Sequence, residues 1–489
     1  MRRDARHRHP AADRRPGLAP LRDASAHSPV RALDPPLRAH GAPLAAELGR
    51  GAARGRNLVR IVSADWVVPV EGPPIRDGAV AIDDGRIVAV GESSELGEGE
   101  RYEDAVILPG FVNAHSHLEY AVYAGFGDGL SFGPWILIHM ERKARIGLAE
   151  MEAIARIGAA ECLRSGITTV GDCSFSGASV AACAELGLRA IVYLEVFGTD
   201  ASQLDGRFSD HRSRIEHHLS DSVRLGISPH APYTCTPELY AACLERDLPL
   251  ATHLNESSDE LEWLSTGRGS WEPLAARIPP PLGESGIRAL ARRGLLSSRI
   301  VAAHCVKVDA EEISLLAEND VAVVHCPRSN AVLGCGIAPL AELREAGLRV
   351  GLGTDSPASA PSFDMFDEMR TALYAARARA ERPDALSAAE TLELATIGAA
   401  RALGLADEIG SLAPGKLADL TVLSLAASPF LPWEDPVTAS VLGGSPERVV
   451  GTLVAGEPLY EKGGEAWPEL IADAHSARSR LLSRAVATS

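Results

Sequence analysis

From Leu58 onward the chain alternates short apolar runs with stretches in which apolar residues return every three or four positions. The runs fall at residues 107–117 (ILPGFVNAHSH), 167–173, 189–195, 223–229, 249–254, 300–305, 321–326 and 349–354, and are rich in Val, Ile and Ala. Helix-period stretches at 149–164, 236–246, 309–319 and 363–380 lie between many of them. A parallel sheet covered by helices needs such a texture, because its strands are buried on both faces. Eight runs predict an α/β fold, an eight-stranded (β/α)8 TIM-like barrel. A doubly wound open sheet is the alternative, but no G-x-G-x-x-G turn follows the first run.

Two further β-rich regions flank this pattern. LVRIVSADWVV and GAVAIDDGRIVAVG precede it, with Asp84-Gly85 as a hairpin turn, and GSLAPGKLADLTVL and VVGTLVAGEPL follow it. They predict one small β-sandwich domain built from both chain ends, residues 57–108 and 408–465, with the barrel at 109–407 inserted and a helical tail at 466–489. Residues 1–56 carry twelve Arg and no Lys against four Asp and one Glu, with abundant Ala and Pro and no period. They are expected to be a disordered tail or an over-extended start of translation.

Composition narrows the function. Of 489 residues, 46% are hydrophobic and 23% charged, a balance that buries a sizeable core. A formal net charge of −17 argues against a nucleic-acid or anionic-membrane surface. No run of 18 apolar residues and no apolar signal core predicts a span or secretion, and eight scattered cysteines without a CxxC pair suit reduced thiols. The expectation is a cytoplasmic protein acting on a small molecule, with no nucleic-acid or membrane partner. Its oligomeric state is open, a homodimer or higher homo-oligomer included.

Polar residues occupy the C-terminal ends of the apolar runs. His115 and His117 end the first, His253 the fifth, His304 the sixth and Asp355 the eighth. Positions i and i+2 of a strand share a face, so the first pair can aim together into the barrel mouth, where barrel enzymes place their sites. One buried histidine is ordinarily a hydrogen-bonded core residue; four with an aspartate, all at run ends, point to a joint metal and catalytic site. Imidazoles together with a carboxylate suit a divalent ion such as Zn²⁺ or Fe²⁺ and can leave a position open for water.

PGFVNAHSHLE, HLNES with His253 and Glu256, AHC with His304, and GTDSPAS with Asp355 together resemble the amidohydrolase superfamily. The similar branch is that of purine deaminases and triazine hydrolases, and the likeness spans roughly residues 58–460. It implies His115, His117, His253 and Asp355 as ligands of one divalent metal, Zn²⁺ first, with Fe²⁺ or Mn²⁺ as alternatives. Catalytic roles are implied for Glu256, as proton carrier to a ring nitrogen, His304, as partner of the attacking oxygen, and Asp355, as base. His230, in SPHAPYTC, matches a position that faces the substrate in deaminases of the branch. Binuclear members bridge two metals through a carboxylated lysine in mid-barrel, and this chain has no Lys between 143 and 307. Glu195, ending the third run, could bridge metals or hold a supporting role.

The activity implied is hydrolytic deamination of an adenine-containing nucleoside; hydrolysis of a triazine or guanine and a non-catalytic scaffold are the alternatives. Trp135, 18 residues after His117, stands where adenosine-type members place an aromatic, and ordinary loop packing explains it as well. Glu141 is a candidate for ribose hydroxyls, His139, Arg142 and Arg145 for a carboxylate on the substrate's tail, and Ser359 for the pocket wall. Counterparts to the arginines that grip the homocysteine carboxylate in S-adenosylhomocysteine deaminases are missing. HSHLE with Glu119, and the tryptophan-bearing segment after it, look more like aminodeoxyfutalosine deaminases, whose substrate joins adenosine to a benzoate. Glu119 could equally be the structural partner of an arginine. His325, Cys326 and Ser329 are expected to shape the pocket at the seventh strand end.

Overall fold

A computed structural model describes residues 59–464 and 467–485. The expected N-terminal tail lies outside the described residues. Eight parallel strands form the barrel: β1 Phe111–Ser116, β2 Ile167–Ser174, β3 Arg189–Val196, β4 Val223–Pro229, β5 Leu250–Leu254, β6 Ile300–His304, β7 Ala322–His325 and β8 Val350–Leu352. They pair in sequence order from β1 to β8, as a closed sheet of right-handed βα units requires. Every strand is lined by Val, Ile and Ala because its outer face packs on helices and its inner face fills the barrel. Val112, Ala114, Ile191, Ala251, Val301 and Val324 belong to that interior cluster, and Ile397, Ala399 and Leu403 pack with them.

The seam between β1 and β8 is closed largely by side chains. Asn113 Nδ2 donates to Thr354 Oγ1 at 2.7 Å, and Asn113 Oδ1 accepts from the Thr354 amide at 2.9 Å. Just beyond, the Asp355 amide donates to the His115 carbonyl at 3.0 Å. Gly353 is required there, because a Cβ would stand 2.8 Å from the His115 backbone nitrogen.

The first predicted run is split. Its front half completes the strand Glu100–Pro109 of a second sheet, and Gly110 separates this from β1. The second sheet is mixed and drawn from both ends of the chain: seven of its eight strands form one hydrogen-bonded path, and the short strand Ile75–Arg76 pairs beside it with Arg60–Val67. The strand Arg60–Val67 pairs antiparallel with Gly78–Asp83 and parallel with Glu100–Pro109. Asp84 and Gly85 make the tight turn between Gly78–Asp83 and Arg86–Glu92, with φ of 47° and 74°, as a two-residue hairpin of primed type demands. The late strands Leu420–Ser424, Val449–Val454 and Glu457–Glu461 extend the same sheet.

Four helices bear on the site: α1 Phe132–Lys143, α2 Leu148–Arg164, α3 Ser258–Thr266 and α4 Pro468–Ala485. Ala477 and Leu481 of α4 pack with Ile154 of α2 and with Tyr123 and Phe126 of the segment leading into α1. Among the described residues no helix is long and apolar enough to cross a membrane.

Candidate metal centre

The strand ends bring the five predicted groups together. His115, His253 and His304 form one set of mutually adjacent ligand atoms and His115, His117 and Asp355 another, each within 4.8 Å. Asp355 Oδ1 lies 3.7 Å from His115 Nε2 and 3.6 Å from His117 Nε2. On β1, strict alternation after Val112 and Ala114 would turn His115 away from the interior. The β1–β2 register shifts between Asn113 and Ser116, and this irregularity resets the phase so that His115 and His117 face the mouth. His304 and Asp355 have φ of 74° and 55°. Left-handed backbone is costly for side chains of this kind and persists where the surrounding structure fixes it.

The surroundings of each group fit a cation. His115 Nε2 is buried with no hydrogen-bond partner among the described residues. His253 Nδ1 lies 2.8 Å from the His230 carbonyl, which can only accept, so Nδ1 carries the hydrogen and Nε2 keeps its lone pair. His304 Nδ1 is fixed in the same way, 3.0 Å from Asn330 Oδ1. Burial pushes His115 well below the usual histidine range and His253 down to about 3, with neighbouring imidazoles adding to it, so both are neutral and able to ligate. Burial alone would raise the Asp355 carboxyl; His117, His304 and His115 outweigh it and hold it well below the carboxylate range. Asp355 Oδ2 accepts from Ser329 and Ser359 at 2.7 Å each, which leaves Oδ1 for the imidazoles.

Glu256 stands beside this group, its Oε2 3.7 Å from His304 Nε2. Burial, reinforced by the Asp355 and Glu260 carboxylates, raises its carboxyl well above the ordinary range, which favours the protonated acid. Glu260, in the first turn of α3, accepts from the Asn255 and Glu256 amides at 3.0 and 2.7 Å and so fixes the loop that carries it. A cavity of about 550 Å³ opens over His117, His253, Glu256, His304 and Asp355. A pocket of that size suits a drug-sized molecule.

The predicted substrate contacts divide. His230, Trp135 and His139 line this cavity. The Trp135 indole donates to the Ala358 carbonyl at 3.3 Å and packs 4.4 Å from the His139 ring. Glu141 and Arg145 do not line it: Glu141 is exposed and pairs with Arg145 at 3.6 Å, one helical turn on. Arg142 lies 3.8 Å over the Phe126 ring. Ser359 is buried against Asp355 and is absent from the cavity wall, where Ser356 stands instead. Among the described residues Glu119 pairs with no arginine; it accepts from the amides of Phe175, Ser176 and Ala178 and the hydroxyls of Ser174 and Ser176, tying the turn after β1 to the loop after β2. Glu195 Oε1 lies 3.9 Å from His117 Nδ1, on the ring edge away from Asp355. His325 is buried but enters neither set of candidate ligand atoms.

Sequence reasoning missed Asn330, which sets the His304 tautomer, and Asp172, whose Oδ1 accepts from Ser116 Oγ and the Leu118 amide at 2.9 and 2.7 Å. It also missed Lys143, which lines the cavity. Asp172 ends β2 in the same manner as the ligands end their strands, and that position was its signal.

A parallel barrel with imidazoles and a carboxylate gathered at its C-terminal rim defines a metal-dependent hydrolase, and the chain belongs to the amidohydrolase family, whose model matches residues 106–459. A short match to a bacterial imidazolonepropionase-like composite domain covers residues 78–98 in the second sheet. The chain is 34% identical to a 5'-deoxyadenosine deaminase of Methanothermobacter thermautotrophicus, over 80% of this chain and 90% of that one. It is 34% identical to a 5-methylthioadenosine/S-adenosylhomocysteine deaminase of Moorella thermoacetica, over 81% and 93%. Among solved structures, an adenosine deaminase from Xanthomonas campestris with bound zinc matches at a TM-score of 0.77 and 30% identity, covering 86% of this chain and 98% of that one. A zinc complex of atrazine chlorohydrolase from Arthrobacter aurescens, at 24% identity and a TM-score of 0.74 over 86% and 99%, supports the fold.

Proposed function

We propose that this chain is a cytoplasmic, mononuclear hydrolytic deaminase of adenosine derivatives, with aminodeoxyfutalosine as the particular substrate to test first. The observation that carries the reading is the gathering of Glu256, His304 and Asp355 in the wall of one cavity, Glu256 Oε2 3.7 Å from His304 Nε2, with the Glu256 carboxyl shifted up by burial and that of Asp355 held down by the imidazoles around it. Two carboxyls pushed apart in this way divide into a proton donor and a proton acceptor. Relatives named as deaminases of adenosine derivatives support a reaction that needs both roles.

His115, His117, His253 and Asp355 would hold the ion. When bound, a divalent cation such as Zn²⁺ supplies Lewis acidity and lowers the pKa of water. The reaction joins a water oxygen to the amine-bearing ring carbon and expels ammonia. Asp355 Oδ1 accepts the proton that water loses and passes it to the departing amino group, which leaves as ammonia. Glu256, held protonated by burial, gives its proton to the adjacent ring nitrogen and so removes charge from the ring as the C–O bond forms. His304, with its hydrogen on Nδ1, keeps Nε2 as an acceptor that steadies the water against the ring. His230 donates from Nδ1 to Thr234 Oγ1 at 2.8 Å and offers Nε2 to the substrate. Eight buried free cysteines suit a reducing compartment.

The test is ammonia release by the zinc-loaded protein with adenosine, 5'-deoxyadenosine, methylthioadenosine, S-adenosylhomocysteine, aminodeoxyfutalosine, guanine and triazines. Turnover of the adenosines, highest with aminodeoxyfutalosine, is expected. Turnover confined to guanine or triazines overturns the reading.

A further inference from the structure

After β7 the chain makes one short stretch of helix, Pro327–Val332. Two consecutive residues of it act on the metal centre: Ser329 donates to Asp355 Oδ2 at 2.7 Å, and Asn330 Oδ1 accepts from His304 Nδ1 at 3.0 Å. A helix of six residues is not held in place by its own hydrogen bonds. Contacts from outside it therefore fix where both side chains stand.

Arg328, the residue before them, makes that connection. Its side chain is buried, and Glu368 opposite is fully buried. The Glu368 carboxylate accepts from the Arg328 backbone amide at 3.0 Å through Oε1 and from Arg328 Nε through Oε2. The other two guanidinium nitrogens donate to Ser362, Nη2 to its carbonyl at 2.7 Å and Nη1 to its hydroxyl at 3.2 Å. Ser362 follows shortly after Ser359, the second hydroxyl on Asp355 Oδ2. Glu368 sits in the first turn of the helix Met365–Ala380, whose Met365, Phe366 and Met369 are buried in the main core. One guanidinium thus joins a core-anchored helix to both segments that supply hydroxyls to Asp355. Neither Arg328 nor Glu368 lines the metal cavity.

A buried ion pair is a poor source of stability, because desolvating both charges offsets their attraction, and apolar residues of similar volume often serve the fold as well. Apolar residues cannot fix direction, whereas the planar guanidinium fork bonds at set angles. We propose that Arg328 and Glu368 are positioning residues of the metal centre: they hold the Pro327–Val332 helix and the Ser359–Ser362 segment where Ser329, Ser359 and Asn330 orient Asp355 and His304. This rests on the reading above for what Asp355 and His304 do.

The test replaces the pair by apolar residues, Arg328→Met with Glu368→Leu. It measures melting temperature, zinc affinity by competition with a chromophoric chelator, and kcat and KM for 5'-deoxyadenosine. The variant is expected to melt close to the wild type, to bind zinc about tenfold or more weakly and to lose kcat about tenfold or more with KM within about twofold. Ser329→Ala is expected to cost much less zinc affinity in this background than in the wild type, because the pair acts through that hydroxyl. Wild-type zinc affinity in the apolar variant, a Ser329→Ala loss undiminished in it, or a change confined to KM overturns the proposal. If the apolar variant does not fold, Arg328→Lys decides. It keeps a charge beside Glu368 but gives up the fork, so zinc binding is expected to weaken several-fold at a near-normal melting temperature; wild-type affinity overturns the proposal. Zinc affinity needs no substrate: absence of adenosine turnover in the wild type overturns the deaminase reading and leaves the pair to be judged on zinc alone.

Discussion

The Ser359 hydroxyl donates to Asp355 Oδ2 at 2.7 Å, and Ser329 donates to the same oxygen at the same distance. The carboxylate is held by two hydroxyls, one from the short helix Pro327–Val332 and one from the loop after β8, with its other oxygen near His115 and His117. Groups that orient a metal ligand typically cost about 10–100-fold in metal affinity or activity when removed. Ser359→Ala and Ser329→Ala are each expected to weaken zinc binding by about tenfold, and the double variant by more. Competition with a chromophoric chelator reads this directly, and unchanged affinity in both single variants contradicts it.

Much of this centre was legible in the sequence because its primary groups sit at the ends of apolar runs. His115, His253, His304 and Asp355 break hydrophobic stretches at the positions a barrel presents to its mouth. What surrounds them was not legible. Asn113 and Thr354 meet across 241 residues, and no local pattern announces a side-chain seam. The split of the first run at Gly110 was hidden because both halves are equally apolar. Glu141, Arg145 and Lys143 share one helical segment, and a charge run does not reveal which side chain turns inward; the answer depends on Phe126 and Phe175, which draw Arg142 and Lys143 in different directions.

Asp172 gives a pH prediction. Burial raises its carboxyl from the usual 3.8 to about 7, against partial relief from the Ser179 hydroxyl, His117 and the Leu118 amide. A carboxyl whose folded pKa is raised contributes stability that is fully present below its unfolded value and is lost as pH rises through the folded one. The metal-free protein should lose stability between about pH 4 and pH 7 by up to about 4 kcal/mol from this group. Asp172→Asn keeps an oxygen for Ser116 and Leu118 and cannot ionise. Its urea midpoint is expected to equal that of the wild type near pH 4 and to exceed it at pH 8; parallel pH profiles exclude the assignment.

Arg478 of α4 reaches back to the segment before α1. It donates to the carbonyls of Val122 and Ala124 and lies 4.7 Å from the Phe126 ring centroid, whose ring also meets Arg142 at 3.8 Å. Trp135 and His139, further along α1, line the metal cavity. Loosening this clamp should disturb the cavity wall more than the ligands. Arg478→Met is expected to raise KM for adenosine substrates several-fold, leave kcat within about twofold and cost about 1–3 kcal/mol of stability. Equal losses in kcat and kcat/KM, read from steady-state kinetics, would contradict a role confined to the wall.

Glu256 separates proton transfer from metal binding. Its carboxyl lies 3.7 Å from His304 Nε2, and its backbone amide is held by Glu260, so the side chain is placed by α3 independently of the ligands. Gln preserves the shape and the Glu260 contact but has no acidic proton to deliver. General acid catalysis of this kind contributes about 10²–10⁴-fold. Glu256→Gln should therefore lose kcat by that factor while retaining one equivalent of zinc by elemental analysis and a melting temperature close to that of the wild type. Because burial keeps Glu256 protonated well above the ordinary carboxylate range, wild-type kcat should also fall on the alkaline side as this proton is lost, and the residual activity of the variant should lack that limb. Near-normal kcat, or an alkaline limb that persists in the variant, would remove Glu256 from the proton path and leave the ring nitrogen to be protonated by another group.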